Sequence, residues 1–358
     1  MLIIDAHLDL AWNALQWNRN LQHSVYTIRT QESRLSGAGR GQGTVALPEM
    51  REGRVALCFA TLLARSTGRM IHNLDYSSPL QAYGVVQGQL AYYRALNGIG
   101  EIRLITNLAE LEDHMDAWQR WDAETSPLQS QPPLGLIISM ESADSVWSPD
   151  QLPAWKEEGV RIIGPAHYGP GRYAGGTSTE LGLTAEGLQL LHSMEELGIL
   201  LDLSHLSDKA FWQALDAYGG PVLASHNNCR VLVPHQRQLD DKQIRPIIAR
   251  EGVIGVAFDN WMLRPGWVRG ARDNPPVTLT NVVDHIDHIC QLAGNSQHAA
   301  IGSDLDGGFG REQSPSDLDS IEDLQRLPDV LSKRGYSDSD VESILYGNWL
   351  RLLRRAWS

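Results

Sequence analysis

Short, nearly uniform runs of apolar residues alternate along the chain with longer segments in which apolar residues recur at helical spacing. Runs of this kind are typical of parallel strands that helices cover on both faces, whereas half-exposed strands alternate apolar and polar residues. Eight runs are predicted as strands: Leu2 to Ala6, Val55 to Leu63, Gly135 to Met140, Val160 to Ala166, Ile199 to Ser204, Pro221 to Ser225, Val253 to Phe258 and Ala299 to Ser303.

The segments between these runs are predicted as helices, and several begin at residues that commonly cap helices. Thr184 and Ser207 each precede such a segment, and Ser148 opens a four-residue capping box with a proline in the first turn. The predicted helices are Gln81 to Leu96, Leu108 to Trp121, Pro149 to Glu158, Ala185 to Leu197, Asp208 to Tyr218, Asp241 to Arg250, Val282 to Ala293 and Asp338 to Trp357. We expect long loops at residues 18–43 and 261–276.

Eight strands that alternate with helices predict a (β/α)8 TIM barrel of the α/β class. A doubly wound open sheet is the alternative, but no glycine-rich phosphate loop follows the first run. The 358 residues leave room for loop insertions and a C-terminal helix, and the sequence shows no internal repeat or low-complexity linker. We therefore expect a single domain over residues 1–358.

The composition of the chain limits the kinds of molecule that the protein is expected to bind. The formal net charge is −13, and no cluster of Lys and Arg reverses it locally, which argues against nucleic acid or an anionic membrane as partner. No run approaches the length of a membrane span, and we expect a cytoplasmic protein that acts on a small molecule. The three cysteines, Cys58, Cys229 and Cys290, are odd in number and far apart, so burial is predicted for them rather than disulfide bonding.

Seven side chains that can bind metal or transfer protons follow six of the predicted strands. His7 and Asp9 can converge on one point because residues two apart in a strand share a face. Each residue alone has an ordinary structural explanation, such as a core histidine or a turn cap. Barrel enzymes, however, place their chemistry where all the strands end, so the joint pattern predicts a metal centre at that rim. The seven residues are His7, Asp9, Glu141, His167, His205, His226 and Asp304.

These motifs are similar to those of the renal (membrane) dipeptidase family of binuclear zinc peptidases. The similar segments are Asp5-Ala6-His7-Leu8-Asp9, Asp202-Leu203-Ser204-His205, Ser225-His226-Asn227, Ile301-Gly302-Ser303-Asp304-Leu305-Asp306-Gly307 and Tyr346-Gly347-Asn348-Trp349-Leu350-Arg351. Their order and approximate spacing match over nearly the whole chain, as in a divergent bacterial-type member. The resemblance implies two zinc ions, one held by His7 and Asp9, the other by His205 and His226, with Glu141 bridging them.

The resemblance also implies a mechanism. A water that bridges two metals loses a proton near neutral pH, and the resulting hydroxide can attack a peptide carbonyl. His167 is expected to contact the substrate and stabilise the oxyanion, and Asp304 is expected to carry a proton to the leaving amine. Asp306 has the same strand parity as Asp304, so spacing does not separate them, and the resemblance favours Asp304. Arg237 is expected to bind the substrate carboxylate, with a solvated loop arginine as the alternative.

The sequence departs from the family pattern at residues that are expected to line the substrate-binding pocket. Ser142-Ala143-Asp144 replaces the usual glycines after Glu141, and the second strand lacks the usual Gly-x-Gln-Phe. Hydrolysis of dipeptides, including those with a D-residue on the C-terminal side, is the prediction. The alternatives are hydrolysis of another small amide, lactam or ester, and a catalytically silent metal-binding barrel.

Three expectations concern features outside this pattern. We expect the insertion at residues 261–267 to pack on the barrel rather than close over the site. His285 and His288 stand three apart on a predicted helix, and we place them on its surface. A homodimer is implied by the resemblance alone.

Overall fold

A computed structural model describes residues 1–123 and 130–358 of the chain. Its strands form one parallel sheet in the order β1-β2-β4-β5-β6-β7-β8-β9, and β3 pairs with β4 beside this path. The strands are β1 Ile3–Leu8, β2 Val55–Leu62, β3 Ile102–Leu104, β4 Leu134–Glu141, β5 Val160–Gly164, β6 Leu200–Asp202, β7 Val222–Ala224, β8 Val253–Val256 and β9 Ala299–Ile301. The eight strands of the main path are those that the apolar runs predict.

The sheet curls into a nearly closed barrel in which β9 lies beside β1. The Ser303 amide and hydroxyl both donate to the Asp5 carboxylate, at 2.9 and 2.5 Å, and the Asp304 amide donates to the His7 carbonyl at 3.3 Å. These bonds join the first strand to the last, and the predicted TIM-barrel class is confirmed. The additional strand β3 was not predicted because its three residues are too few, and too polar at Arg103, to form an apolar run.

Helices cover the outside of the barrel between the strands. They are α1 Leu10–Gln16, α2 Val25–Gln31, α3 Leu47–Glu52, α4 Pro79–Gly98, α5 Leu108–Ala123, α6 Leu152–Glu157, α7 Ala185–Leu197, α8 Asp208–Ala217, α9 Asp241–Ala249, α10 Asn260–Leu263, α11 Leu279–Ala293, α12 Leu327–Arg334, α13 Asp338–Glu342 and α14 Asn348–Trp357. The predicted caps are present at the start of α7 and α8, where Thr184 accepts from the Gly187 amide and Ser207 from the Ala210 amide.

Several predicted elements differ in detail. The predicted loop at residues 18–43 contains α2, and the one at 261–276 begins within α10. The predicted terminal helix is continuous in space but contains a π-helical turn at Ser343–Gly347, which separates α13 from α14. Ser148 caps a short 3-10 turn at Pro149–Gln151 that precedes α6.

The interior of the barrel is closely packed with apolar side chains. Every residue of β1, β2 and β4 is buried, which explains why these runs lack the alternation of a half-exposed strand. Cys58, Cys229 and Cys290 are buried and free, as predicted. None of the helices in the described parts of the chain combines the length and apolar character that crossing a bilayer requires.

Candidate metal centre and active site

The five side chains predicted as metal ligands meet at the C-terminal end of the barrel around the carboxylate of Glu141. His7 and Glu141 lie within β1 and β4, and His205 and His226 follow β6 and β7 directly. Each of the five is at most 8% exposed. Measured from Glu141 Oε1, the Nε2 atoms lie at 3.2 Å for His205, 3.4 Å for His226 and 3.6 Å for His7. Asp9 joins this group through His7, with 3.9 Å between its Oδ1 and His7 Nε2.

The donor set fits divalent metal. Ligand atoms of His7, Glu141 and His226 lie within 4.8 Å of one another, and so do those of His7, Asp9 and Asp304. His7 Nε2 is buried and has no hydrogen-bond partner within residues 1–123 and 130–358. Leaving a buried polar atom unpaired costs free energy, and imidazole nitrogens with carboxylate oxygens suit zinc. The residues around Glu141 therefore fit a site for divalent metal.

Hydroxyl groups behind the histidines orient them. The Ser225 hydroxyl donates to Asp202 at 2.5 Å and lies 2.8 Å from His226 Nδ1, and the Thr177 hydroxyl lies 3.1 Å from His205 Nδ1. Each hydroxyl oxygen can accept a hydrogen bond from the neighbouring Nδ1–H, which leaves the Nε2 lone pair directed at Glu141. This second layer of contacts prepares both histidines as ligands.

Backbone strain occurs at the same strand ends. His205 has φ 64° and Asp304 has φ 57°, both in the left-handed region that residues other than glycine rarely adopt. Strain of this kind is concentrated at functional sites, where the surrounding structure holds it in place. Here the left-handed residues follow β6 and β9, at the positions where the chain turns and the side chains enter the cluster.

The cluster is electrostatically unbalanced in the absence of a cation. Burial opposes the charge on His7, but Glu141, Asp9 and Asp304 outweigh it and raise the pKa of His7 to about 10. Burial and the neighbouring Glu141 carboxylate raise the pKa of Asp9 to about 7, and burial raises the pKa of Asp304 well above its ordinary value. Carboxylates crowded in this way are stabilised by a bound metal, whose charge offsets their repulsion.

His167 lies beside the cluster, with its Nε2 3.4 Å from Glu141 Oε1 and its ring 4.3 Å from that of His205. Burial, with Arg65 and Arg237 nearby, lowers the pKa of His167 to about 3, so the imidazole is neutral at physiological pH. A neutral imidazole that carries one N–H can donate a hydrogen bond into the cavity. The position suits the oxyanion contact that was predicted.

The structure separates the two aspartates that spacing left equivalent. Asp304 Oδ1 lies 3.9 Å from His7 Nε2 and lines the cavity. Asp306 points away from it, accepting from Arg19 Nη1 at 3.0 Å and from the Thr44 amide at 2.7 Å. Asp306 therefore holds the segment that leads into α3, and Asp304 alone of the pair is placed for proton transfer.

Arg237 is buried rather than solvated, which excludes the alternative of a loop arginine in water. Its Nη2 donates to the His226 carbonyl at 2.7 Å, while Nε and Nη1 have no partner in the described part of the chain. The side chain is 3% exposed and lines the cavity together with Tyr168. A buried guanidinium with open donors is a ready site for a carboxylate.

The cavity above Glu141 has a volume of about 280 Å³, which accommodates a small molecule and excludes a folded polypeptide. We call Glu141 and the five residues around it the floor of the cavity: His7, Asp9, Glu141, His205, His226 and Asp304. The rim of the cavity and the side chains that support it are called its wall: Arg65, Arg237, Asp259, Trp261 and Arg269.

Sequence reasoning missed four wall residues: Arg65, Asp259, Trp261 and Arg269. Asp259 accepts from Gln313 Nε2 at 2.7 Å, and burial raises its pKa to about 7. Trp267 packs against the hydrophobic core, as expected for the insertion at residues 261–267, but Trp261 lines the cavity. The insertion therefore contributes to the site as well as packing on the barrel, and Arg269 beyond it also lines the cavity. Asp259 comes three residues after β8, as Asp304 does after β9, and that spacing was the available signal.

Two histidines outside the cavity have different roles. His288 is partly buried and lies 2.8 Å from Asp241. His285 is fully buried: its Nδ1 accepts from the Cys229 amide at 3.0 Å, and its Nε2 lies 3.3 Å from the Leu263 carbonyl. The predicted surface position of His285 is therefore wrong, because α11 turns this residue toward the loop after β7.

Comparisons with known proteins agree with this geometry. The model of the membrane dipeptidase family, peptidase family M19, matches residues 1–357. An uncharacterized protein in the pqqA 5′ region of Klebsiella pneumoniae is 32% identical over 292 residues, which cover 78% of this chain and 99% of that protein. Dipeptidase tcpJ of Claviceps purpurea is 33% identical over 203 residues, 55% of this chain and 44% of that protein.

Two crystal structures share the fold at 23% identity, each covering 100% of this chain and 99% of theirs. Dipeptidase AC, a metallo peptidase of family M19, superimposes with a TM-score of 0.78. A metallo peptidase from Rhodobacter sphaeroides, bound to a phosphinate mimic of the dipeptide L-Ala-D-Ala, gives 0.77. The chain therefore belongs to the membrane dipeptidase family, peptidase family M19, and is a hydrolase of the metallo-dipeptidase type.

Proposed function

We propose that this protein uses two zinc ions to hydrolyse dipeptides, including dipeptides with a D-residue on the C-terminal side. The observation that carries the proposal is the convergence of three imidazoles on Glu141, with the Asp9 carboxylate beside one of them and a buried arginine with open N–H groups nearby. His7 and Asp9 would hold one ion and His205 and His226 the other, with Glu141 shared. Metal bound there would lower the pKa of water and polarise the peptide carbonyl.

The side chains of this protein supply the remaining steps. Arg237 binds the terminal carboxylate of the substrate and sets the scissile bond over the floor. Asp304 takes a proton from the attacking water and returns it to the leaving amine. His167 donates a hydrogen bond to the oxyanion of the tetrahedral intermediate, which is stronger in the transition state than in the bound substrate.

Acceptance of a D-residue is supported by one relative and by the position of Arg237. The similar Rhodobacter sphaeroides enzyme binds a mimic of L-Ala-D-Ala. If recognition rests on the carboxylate, the C-terminal side chain needs only to avoid the wall, so its configuration matters less than the free carboxylate. We expect L-Ala-D-Ala and L-Ala-L-Ala to be hydrolysed, and their C-terminal amides to be poor substrates.

The test uses purified protein that has been stripped of metal and reloaded with zinc. We expect about two zinc ions per chain by elemental analysis, hydrolysis of both dipeptides, and loss of activity on stripping. Glu141→Gln keeps the size of the side chain but weakens the shared ligand. Its kcat/KM should fall on the order of 10³-fold, since several kcal/mol of transition-state stabilisation are removed.

Glu196→Gln, on the exposed face of α7, is the matched control and should retain wild-type activity. Protein that holds two zinc ions and turns over no dipeptide would overturn the proposed substrate class. In that case small amides, lactams and esters are the next substrates to assay. Activity that survives both metal removal and Glu141→Gln would overturn the proposed chemistry.

A further inference from the structure

Arg65 is a buried arginine behind His167, on the side of the imidazole that faces away from Glu141. Its Nη1 lies 2.7 Å from His167 Nδ1, and the same nitrogen lies 3.4 Å from the Tyr168 carbonyl. Arg65 is 1% exposed and comes three residues after β2. The guanidinium thus contacts the back of a side chain whose front faces the cavity.

Asp75 anchors this guanidinium. Arg65 Nη2 forms an ion pair with Asp75 Oδ2, and the Thr67 hydroxyl donates to Oδ1 of the same carboxylate at 2.5 Å. The backbone adds two bonds, from the Arg65 amide to the Leu74 carbonyl at 2.9 Å and from the Tyr76 amide to the Arg65 carbonyl at 2.8 Å. A loop tied at both ends therefore fixes the direction in which Arg65 presents its N–H groups.

The contact between Arg65 and His167 permits only one placement of the proton on the neutral imidazole. A guanidinium only donates, so His167 Nδ1 must accept and cannot carry a proton. A neutral imidazole then carries its proton on Nε2, the atom 3.4 Å from Glu141 Oε1. An Nε2 that carries a proton has no lone pair for metal.

Distance alone does not distinguish a histidine that binds metal from one that donates a hydrogen bond to the substrate. Ligand atoms of Glu141, His167 and His205 lie within 4.8 Å of one another, so His167 is as close to the centre as a ligand would be. His205 and His226, however, have hydroxyl oxygens at Nδ1 that can accept a hydrogen bond from an Nδ1–H, whereas His167 has an arginine there, which can only donate. The three histidines therefore differ in the partner of Nδ1, which is a hydroxyl for His205 and His226 and a guanidinium for His167.

We propose that Arg65, anchored by Asp75, is a positioning residue that fixes His167 in the Nε2-protonated form, so that His167 donates to the substrate and does not bind metal. Arg65 does not touch the reacting atoms and acts only through His167. The hydrogen-bond donor of the oxyanion contact is thereby set before the substrate arrives, and this preorganisation is what makes such a donor effective.

Spectroscopy on the unaltered protein tests the proposal without a change to Arg65. The protein is labelled with 15N-histidine, and His167→Gln identifies the His167 signals by their loss. Long-range 1H–15N spectra should show His167 with an unprotonated Nδ1 and a protonated Nε2, both in metal-free protein and after zinc loading. A proton on Nδ1, or an Nε2 shift on zinc loading that indicates coordination, would overturn the proposal.

Kinetics provide the second test. Arg65→Met should lower kcat by about 10- to 100-fold, the usual loss when a supporting partner is removed, with little change in KM or zinc content. Arg65→Lys keeps a donor in place and should recover most of the lost kcat. If Arg65→Met does not fold, combining it with Asp75→Asn removes the uncompensated buried carboxylate. A folded variant with wild-type kcat, or one that loses zinc together with activity, would refute the assignment.

Discussion

The floor and the wall of the cavity differ in how their side chains are held. Floor residues contact one another around Glu141, and nearby hydroxyls support them, as Ser225 supports the adjacent His226. Two wall residues depend on partners elsewhere in the loops, Arg65 on Asp75 and Asp259 on Gln313. Arg237 instead donates to the backbone carbonyl of a floor residue, His226. We therefore expect substitutions in the floor to act on the proposed metal chemistry and substitutions in the wall to act mainly on substrate binding.

One loop contact shows how the wall is assembled. Asp144, which follows Glu141 where the family usually has glycines, accepts from the Ser66 amide at 3.0 Å and from the Arg172 amide at 2.8 Å. This buried carboxylate connects the loops that follow three different strands. The departure from the family pattern therefore alters the framework of the wall and leaves the floor intact.

The largest expected effect is on kcat, and it should distinguish Asp304 from Asp306, the two aspartates that follow β9. Asp304→Asn should lower kcat roughly 10³-fold, because it removes the proton carrier, with little change in the free energy of unfolding. Asp306→Asn should have near wild-type kcat but lose about 3 kcal/mol of stability, because it leaves buried Arg19 without its full partner. Steady-state kinetics and urea unfolding of zinc-loaded protein measure both. Equal losses of kcat would contradict the division between floor and supporting segment.

Arg237 tests whether the wall controls binding. Arg237→Met should lower kcat/KM about 10²-fold, mostly through KM, since a charge-assisted pair is lost. Arg237→Lys should recover only part of this, because lysine lacks the bidentate geometry. C-terminally amidated dipeptides should be equally poor substrates for wild type and variant.

Arg245→Met, on the exposed face of α9, is the control for loss of an arginine. If Arg237→Met lowered kcat/KM for the amidated and the free dipeptides by the same factor, Arg237 would have no role in carboxylate recognition.

His285 is a structural histidine outside the floor, and its protonation is expected to affect the stability of the fold. Burial lowers its pKa to about 4, below the ordinary 6.5, so the folded state favours the neutral form. Its contribution to stability is complete above pH 6.5 and is lost as the pH falls toward 4. His285→Asn keeps an acceptor for the Cys229 amide, and between pH 7 and 5 it should lose roughly 2 kcal/mol less unfolding free energy than wild type.

Denaturant unfolding at several pH values measures this difference. His192→Asn, exposed on α7, should follow the wild-type pH dependence. The floor histidines are present in all three proteins, so their titration cancels in the comparison. Identical pH dependence of His285→Asn and wild type would show that His285 does not titrate on unfolding as its burial requires.

The smallest effect is expected at the outer edge of the wall. Arg269 is exposed, and its Nε donates to Gln313, the residue that also holds Asp259. Exposed charges contribute at most about 1 kcal/mol, so Arg269→Met should change KM by no more than ~5-fold and leave kcat unchanged. A much larger rise in KM for short dipeptides would place Arg269 among the residues that bind substrate directly.

The sequence predicted the floor because strand ends in a barrel meet at one rim. Apolar runs marked the strands, and the metal-competent residues that follow them needed no knowledge of loop conformation. The choice between Asp304 and Asp306 required more, since both follow β9 with the same parity and both have left-handed backbone angles. The resemblance favoured Asp304, and the structure separates them by their contacts: Asp306 accepts from Arg19 and Thr44, whereas Asp304 lines the cavity near His7.

The wall could not be predicted in the same way. Arg65 and Asp259 come three residues after β2 and β8, the two strand ends for which no candidate was named. Their positions could have been noticed, but their roles depend on Asp75 and Gln313, which loops of irregular conformation bring to them. Hydrophobic periodicity carries no information about such side-chain pairs.

The bonds between Asp5 and Ser303 join residues that are 298 positions apart in the chain. A growing polypeptide has therefore synthesised all five proposed zinc-binding side chains long before Asp304 and the strand that carries it. Contacts of such long range form late, because much of the chain must be ordered first. Asp304 is therefore expected to reach its place beside His7 only after the barrel has closed, so a chain that has not closed would lack the proposed proton carrier.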